Sequence, residues 1–301
     1  MPRKPKKAVV RRRVGAARRC LQVLEVLASE PYLFTLADIA EILSLPKSSL
    51  YRLLSLLSDA GYIEEEPATK RYSLSAKVLW IGSSYLRGSP VQRCAHSALI
   101  QLSNATGAMS HLGVWDSGTV LILHTADPPN AASLFVEVGE RRPLHATALG
   151  KALLAWRPAE DVKRLCEAGL PAFTPRTITT PEALEEELER VRQMGAAIDN
   201  EEYALGLRCV AAPVRNQSGV VAAMGISGDL NLITDEALPR LTKQVRDMAL
   251  QVSAQLGFRP LSAQYGSLLY GSTKVAREAE ARPEPADKVT APAELDVPAK
   301  G

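Results

Sequence analysis

The chain has 301 residues, of which 46% are apolar and 23% are charged, and its formal net charge is +3. This length is enough for two domains with buried cores, and the composition excludes collagen-like, wholly disordered and coiled-coil proteins. Because no apolar run reaches the ~20 residues of a membrane span and no secretory signal follows the first residues, we expect a cytoplasmic protein without a membrane partner.

Basic residues are concentrated at the N-terminus. Nine lysines and arginines and no acidic residue lie between Met1 and Arg19, which leaves a net charge of −6 on the rest of the chain. A basic segment on an acidic body is typical of a protein that contacts a polyanion at one end. We therefore predict a disordered basic arm over residues 1–15, with a solvated tail that has no partner as the alternative.

Residues 16–75 have leucines at helical spacing and predict three helices followed by a hairpin. The first helix ends before the Ser29-Glu30-Pro31 break, and the second begins at the capping-box pattern Thr35-Leu36-Ala37-Asp38. A tight turn at Ser44-Leu45-Pro46 leads into the third helix, after which two short strands flank a turn at Pro67-Ala68-Thr69-Lys70. This order predicts a winged helix-turn-helix domain, which is a DNA-binding fold.

The third predicted helix has one apolar face and one open polar face. Leucines at positions 50, 53, 54 and 57 share the apolar face, so the open face carries hydroxyls and cations suited to phosphates and base edges. A three-helix interaction domain is the alternative, and the acidic run Glu64-Glu65-Glu66 would be repelled by phosphate. The predicted DNA-contacting residues are Thr35, Lys47, Ser48, Ser49, Tyr51, Arg52 and Ser55, with Lys70 and Arg71 at the tip of the wing.

Beyond the wing the pattern of apolar and polar residues changes. Residues 76–88 predict a linker helix with too many apolar residues for one buried face, so it packs either against a partner subunit or against its own domain. Residues 89–260 predict a second domain in which helical segments alternate with strands at 113–123, 134–138, 209–214 and 220–227. Residues 261–301 are rich in proline and alanine and predict a disordered tail.

Two separate motifs carry a resemblance to a known family. The segments Thr35–Ala40 and Leu45–Leu54 resemble the DNA-binding domain of IclR-type bacterial transcription regulators. The segments Pro143–Ala155 and Asp199–Val214 resemble the effector-binding domain of the same family, and the resemblance as a whole extends from about residue 16 to residue 258.

The resemblance implies an α+β protein, in which an N-terminal winged helix-turn-helix domain is joined by a linker helix to a GAF-like α/β effector domain with an antiparallel sheet. It implies a ligand-responsive regulator that represses catabolic or metabolic genes. The expected partners are a double-stranded DNA operator, a small organic acid effector and further copies of the chain in a homodimer or homotetramer.

A ligand pocket is predicted around Thr147, which precedes Ala148-Leu149-Gly150 at the start of a helix. Unpaired amides at such a start favour an anion, and small residues let a carboxylate approach the backbone. Asp199 would orient a hydroxyl or amide of the ligand. The alternatives are structural: Thr147 as a cap and Cys209 as a buried apolar residue. The predicted ligand-binding residues are Leu144, Thr147, Ala148, Leu149, Gly150, Asp199, Leu207, Cys209 and Ser227.

An enzyme is the competing class of protein. The sequence has no G-x-S-x-G, H-E-x-x-H or Walker motif, although a Cys209–His145 pair would suit a thiol-dependent enzyme. A metal-responsive regulator is a third reading, through His111, His124 or His145, but no spacing resembles a ligand set. The four cysteines are scattered and predict reduced thiols. We therefore predict no catalytic residue, no metal and no cofactor.

Overall fold

The computed structural model describes residues 7–29, 34–129 and 136–259. The predicted disordered tail at 261–301 lies outside the described residues, as do residues 1–6 of the predicted arm. No helix in the described part of the chain is long and apolar enough to cross a membrane. The four cysteines, which all lie in that part, are unpaired.

The first domain is a winged helix-turn-helix, as predicted. Its elements are α1 (Lys7–Ser29), β1 (Phe34–Thr35), α2 (Leu36–Ile42), α3 (Lys47–Asp59), β2 (Ile63–Glu65) and β3 (Arg71–Leu74), with the strands in the antiparallel order β1-β3-β2. The capping box forms at the start of α2, because the Thr35 hydroxyl accepts a hydrogen bond from the Asp38 N–H and the Asp38 carboxylate accepts one from the Thr35 N–H. The leucines at helical spacing in α3 bury Leu50, Leu54 and Leu57 against α1 and α2.

The structure differs from the sequence-based expectation at the N-terminus. Helix α1 begins at Lys7, so residues 7–15, which were expected to be disordered, have a helical backbone. Lysine, arginine and alanine favour helices, and a helix is extended at lower cost than it is nucleated. The basic segment therefore continues a helix that is held in the core by Val23 and Leu27, both buried.

The second domain is built on one antiparallel sheet of six strands. The strands are β4 (Met109–Asp116), β5 (Thr119–Ala126), β6 (Arg141–Arg142), β7 (Ala197–Asn200), β8 (Leu207–Asn216) and β9 (Gly219–Asp229), in the order β6-β5-β4-β9-β8-β7. The run predicted as one strand at 113–123 is a hairpin, because Ser117 and Gly118 both have a positive φ and form a two-residue turn. The predicted strand at 134–138 is wrong for residues 136–138, which enter a turn closed by a hydrogen bond from the Glu140 N–H to the Glu137 carbonyl.

Helices cover both faces of this sheet. They are α5 (Pro90–Thr106), α6 (Ala148–Leu154), α7 (Ala159–Ala168), α8 (Pro181–Met194) and α9 (Leu238–Gln255), and α4 (Ala76–Gly88) precedes them in the chain. One apolar core lies between the sheet and α5 and α9, and a second lies on the opposite face under α6, α7 and α8. Helix α4 occupies the predicted linker range and has no buried residue.

Candidate functional site

The open face of α3 presents the polar side chains that the sequence assigned to DNA. Lys47, Ser48, Tyr51 and Arg52 are exposed, while Ser49 and Ser55 on the same helix are half-buried. Lys47, Tyr51 and Ser55 follow at intervals of four residues, so they lie along one side of the helix. The arrangement supplies two cations, the ammonium of Lys47 and the guanidinium of Arg52, together with hydroxyls over two turns, which suits the major groove.

The remaining predicted DNA contacts lie at the wing and at the start of α2. Lys70 occupies the turn between β2 and β3 with a positive φ, and its ammonium is 3.3 Å from the Glu65 carboxylate. Because an exposed ion pair contributes little, a phosphate can replace that carboxylate. Arg71 is half-buried beside it, opposite Thr35 in the sheet. The Thr35 hydroxyl donates to the Asp38 carboxylate at 2.7 Å, which gives it a structural role at the cap.

A cavity of about 280 Å³ lies on the α6 side of the six-stranded sheet, and we call it the effector cavity after the ligand-binding role that the sequence predicts for its lining. Seven of the nine predicted ligand-binding residues line it: Thr147, Ala148, Leu149, Asp199, Leu207, Cys209 and Ser227. The sequence motifs at 143–155 and 199–214 are thus brought together by the fold, since α6 packs over β7, β8 and β9.

Leu144 and Gly150 do not line the effector cavity, which corrects the prediction for both residues. Leu144 is fully buried in the core beneath α6. A Cβ on Gly150 would lie 2.3 Å from the Leu144 carbonyl oxygen and 2.5 Å from its Cα. Gly150 therefore serves the close approach of two backbone segments rather than ligand contact.

Thr147 acts as the N-cap of α6. Its hydroxyl accepts a hydrogen bond from the Gly150 N–H at 3.1 Å and donates one to the Pro143 carbonyl at 2.7 Å. The Gly150 amide, one of those predicted to be available to an anion, is thus already hydrogen-bonded. Helix α6 spans only Ala148–Leu154, so the start of the helix is a weaker anion site than its sequence suggests.

The cation of the effector cavity is Arg142, which the sequence analysis missed. Its guanidinium donates to the Tyr203 hydroxyl and, at 2.7 Å, to the Glu140 carboxylate, and it lies 4.7 Å from the centre of the Tyr203 ring. Residues alternate sides along a strand, so of the pair Arg141-Arg142 one side chain faces inward. Arg141 is the outward one and pairs with Asp116. The sequence signal that could have identified Arg142 was the pair of adjacent arginines just before the motif at 143–155.

Polar side chains cross the floor of the effector cavity on four neighbouring strands. Asp199 on β7 is paired in register with Cys209 on β8, and Cys209 with Ser227 on β9. The Ser227 hydroxyl lies 2.5 Å from Nε2 of His111 on β4. Burial lowers the pKa of His111 to about 4, so its ring is neutral. Its Nδ1 and the Oδ2 of Asp199 are buried without a hydrogen-bond partner among the described residues.

Comparison with known families accounts for both halves of the chain. A model of the bacterial transcriptional regulator IclR C-terminal domain matches residues 83–254, and a model of the IclR helix-turn-helix domain matches residues 16–67. The chain belongs to the IclR family of bacterial transcriptional regulators.

Individual relatives agree with this assignment. The HTH-type transcriptional regulator XynR of Escherichia coli is 33% identical over 247 residues, which cover 81% of this chain and 98% of XynR. The transcriptional repressor IclR of Escherichia coli is 30% identical over 248 residues, which cover 81% and 90% of the two chains. The crystal structure of an IclR transcriptional regulator from Alicyclobacillus acidocaldarius has a TM-score of 0.72 and 29% identity, over 81% of this chain and 99% of that one.

An IclR regulator is not an enzyme, and the thiol of Cys209 fits that conclusion. Burial, with Asp199 beside it, raises the pKa of the thiol well above its usual value, whereas a nucleophilic cysteine needs a lowered pKa. His145 lies elsewhere, with its Nε2 3.0 Å from the Pro171 carbonyl oxygen.

The metal-responsive reading also lacks a site within the described ranges. They contain no group of three or more His, Cys, Asp or Glu residues that could hold a metal ion. The three candidate histidines are separately engaged: His111 with Ser227, His124 with His96 and His145 with Pro171.

Proposed function

We propose that this IclR-family regulator binds a double-stranded DNA operator through the open face of α3, binds a small organic acid in the effector cavity, and represses catabolic or metabolic genes in the cytoplasm. The observation that carries the proposal is Arg142, whose side chain is only 14% exposed on the wall of a mainly apolar cavity. A guanidinium in that position recognises a carboxylate through two parallel hydrogen bonds.

The size of the effector cavity restricts the acid. At about 280 Å³ the cavity is slightly smaller than the usual range for ligand pockets, roughly 300–1,000 Å³, so it suits a molecule with few heavy atoms. Ile122, Val136 and Leu149 provide apolar walls, and His111 and Asp199 provide unpartnered polar atoms. We therefore propose a compact acid with its carboxylate at Arg142 and one further polar group over the sheet.

DNA recognition is expected to depend on Arg52. Replacing Arg52 by alanine should weaken operator binding by about 1–3 kcal/mol if its guanidinium makes a bidentate base contact. The measurement is a fluorescence anisotropy titration of a fragment that the wild-type protein selects from genomic DNA. Arg164→Ala, which removes an exposed arginine of the effector domain, is the matched control and should leave the affinity unchanged. Equal affinity for both variants would mean that α3 does not read the operator.

The exposed face of α4 supports a homodimer or homotetramer. Leu79 is 74% exposed and Trp80 is 68% exposed, on a helix with no buried residue. Large apolar side chains grouped on one helix indicate a surface that another protein covers. A second copy of α4 is the occupant we propose, because two-fold pairing would present two α3 helices to a palindromic operator.

A short segment is proposed to connect the effector cavity with the DNA-binding domain. Val136 and Arg142 border the effector cavity, and Arg142 is held by Glu140. Residues 137–140 also border a separate space of about 740 Å³ against the first domain, together with Leu27, Ser29, Leu74 and Val78. A carboxylate that competes with Glu140 for Arg142 would shift this segment and thereby change how the first domain is held.

Blocking the effector cavity tests the location of the ligand. Leu149, 9% exposed, lines the cavity, so Leu149→Trp should fill it and abolish stabilisation by the effector. The measurement is the melting temperature with a panel of keto, hydroxy and aromatic acids, because a ligand at 100 times its Kd stabilises a protein by about 2.7 kcal/mol. Leu205→Trp changes an exposed leucine outside the cavity lining and is the control.

Two results would contradict the proposal. An acid that stabilises Leu149→Trp as strongly as the wild type would place the ligand elsewhere. A wild-type protein stabilised by no acid in the panel would exclude this class of effector.

A further inference from the structure

Asp199 has an environment that is unusual for a carboxylate. It is 1% exposed, and its Oδ1 accepts hydrogen bonds from the backbone N–H groups of Glu202 at 2.8 Å and Tyr203 at 3.4 Å. Asp199 lines the effector cavity, and its Oδ2 is buried without a hydrogen-bond partner among the described residues. An ionised carboxylate with one oxygen buried and unpaired would lose most of its solvation without compensation.

Lys151, the buried cation whose charge acts on Asp199, is already shared by two other carboxylates. The Lys151 ammonium, with a side chain 1% exposed, lies 2.5 Å from Glu202 and 2.9 Å from Glu187. Glu187 has a second partner in the exposed Arg190, at 2.8 Å. Two cations thus balance two carboxylates, and Asp199 is the third carboxylate of the cluster.

The other groups that face Asp199 add no cation that it could use. The guanidinium of Arg142 is bonded to Glu140 and Tyr203. Burial keeps the His111 ring neutral and keeps the Cys209 thiol protonated. The titratable or charged groups of this region come from the cavity lining and from the Lys151 cluster. They are Glu202 and Tyr203 in the turn after β7, Cys209 on β8, His111 on β4, Arg142 on β6, Lys151 on α6 and Glu187 on α8.

We propose that Asp199 keeps its proton at mildly acidic pH and loses it only around neutrality, so that its protonated carboxyl group donates a hydrogen bond to an acceptor oxygen of the effector. The inference rests on the proposed function, since it assigns the chemistry of the same cavity. It replaces the ligand hydroxyl expected from the sequence by a carbonyl or carboxylate oxygen, and it makes Asp199 a specificity-determining residue.

The direction of the pKa agrees with this geometry. Burial, reinforced by the charge of Glu202, outweighs the two backbone hydrogen bonds and the attraction of Lys151 and raises the pKa of Asp199 to about 7. The folded state therefore binds this proton more tightly than the unfolded state does. Its contribution to stability is present at acid pH and is lost as the pH rises from the ordinary aspartate range through about 7.

Infrared difference spectroscopy of the full-length protein without effector tests the proposal directly. The spectrum of the wild type minus that of Asp199→Asn at pH 6 should contain the carbonyl stretch of a protonated carboxylic acid, and that band should vanish between pH 6 and pH 8.5. Asp127→Asn, at an exposed aspartate of the same domain, is the matched control and should remove a carboxylate band instead. A difference spectrum for Asp199 that contains only a carboxylate band at pH 6 would overturn the proposal.

A second measurement covers the case in which Asp199→Asn does not fold. Aspartate labelled with 13C at the side-chain carboxyl lets every aspartate of the wild type be titrated by NMR. One buried resonance should titrate near neutral pH, and a protein in which all of them titrate in the ordinary aspartate range would contradict the inference. Neither measurement uses an effector. A result that contradicts the inference about Asp199 would therefore leave the cavity-blocking test of the proposed function unaffected.

Discussion

Replacing Lys151 by alanine is expected to destabilise the protein by about 3–5 kcal/mol, because it leaves the carboxylate of Glu202 buried without its cation and removes one of the two cations that contact Glu187. Urea unfolding followed by tryptophan fluorescence measures the effect. Burial already raises the pKa of Glu202, and removing the ammonium raises it further. The loss of stability should therefore be larger at pH 8 than at pH 5, where protonation favours the neutral form of the unpaired Glu202 carboxyl group.

Lys163 provides the matched control for this substitution. Its side chain is 76% exposed and its ammonium is 3.9 Å from Glu167 in a surface pair, which contributes about 0–1 kcal/mol. Lys163→Ala should therefore leave the unfolding midpoint almost unchanged. A Lys151→Ala variant as stable as Lys163→Ala would show that the buried cluster does not hold α6, α8 and the turn at Glu202 together.

Replacing Gly150 by alanine should destabilise the effector domain by about 1–3 kcal/mol or more, because overpacking against a backbone cannot be relieved by a side-chain rotation. The added Cβ would lie 2.3 Å from the Leu144 carbonyl oxygen, so α6 would have to move away from Leu144. Thermal unfolding measures the loss. Since Thr147, Ala148 and Leu149 line the effector cavity, the displaced helix should also weaken effector binding.

The control for Gly150→Ala is the same substitution at Gly82. Gly82 lies within α4, and nothing is within 4 Å of the position that its Cβ would take. Alanine is favoured over glycine in a helix interior by about 0.8–1.0 kcal/mol, so Gly82→Ala should be neutral or stabilising. If both substitutions had the same effect, the tight approach at Leu144 would not be responsible.

The DNA-binding domain was predictable from the sequence because its determinants are local. The cap at Thr35 and Asp38, the turn before Pro46 and the leucine spacing of α3 each act within a few residues. The length of α1 was not predictable in the same way. Its basic N-terminal part contains good helix formers, but whether a helix extends into such a segment depends on the packed part that nucleates it.

The effector cavity was only partly predictable because its contacts join distant segments. Thr147 and Asp199 belong to motifs, whereas Arg142, Tyr203 and His111 meet only after β6, the turn behind β7 and β4 have taken their places in the sheet. A two-residue strand such as β6 has no periodicity that reveals its inward residue. For the same reason the sequence could not show that Leu144 and Gly150, although they belong to the motif, lie behind the cavity.

The most direct test of the proposed account is operator affinity measured with and without effector. Fluorescence anisotropy should give the Kd for a genomic fragment selected by the protein, in the absence and presence of the acid that stabilises the wild type most. The account predicts a change of at least about tenfold for the wild type, within the usual 1–3 kcal/mol of allosteric coupling, and none for Leu149→Trp. An acid that stabilises the wild type through the effector cavity but leaves its operator Kd unchanged would contradict it.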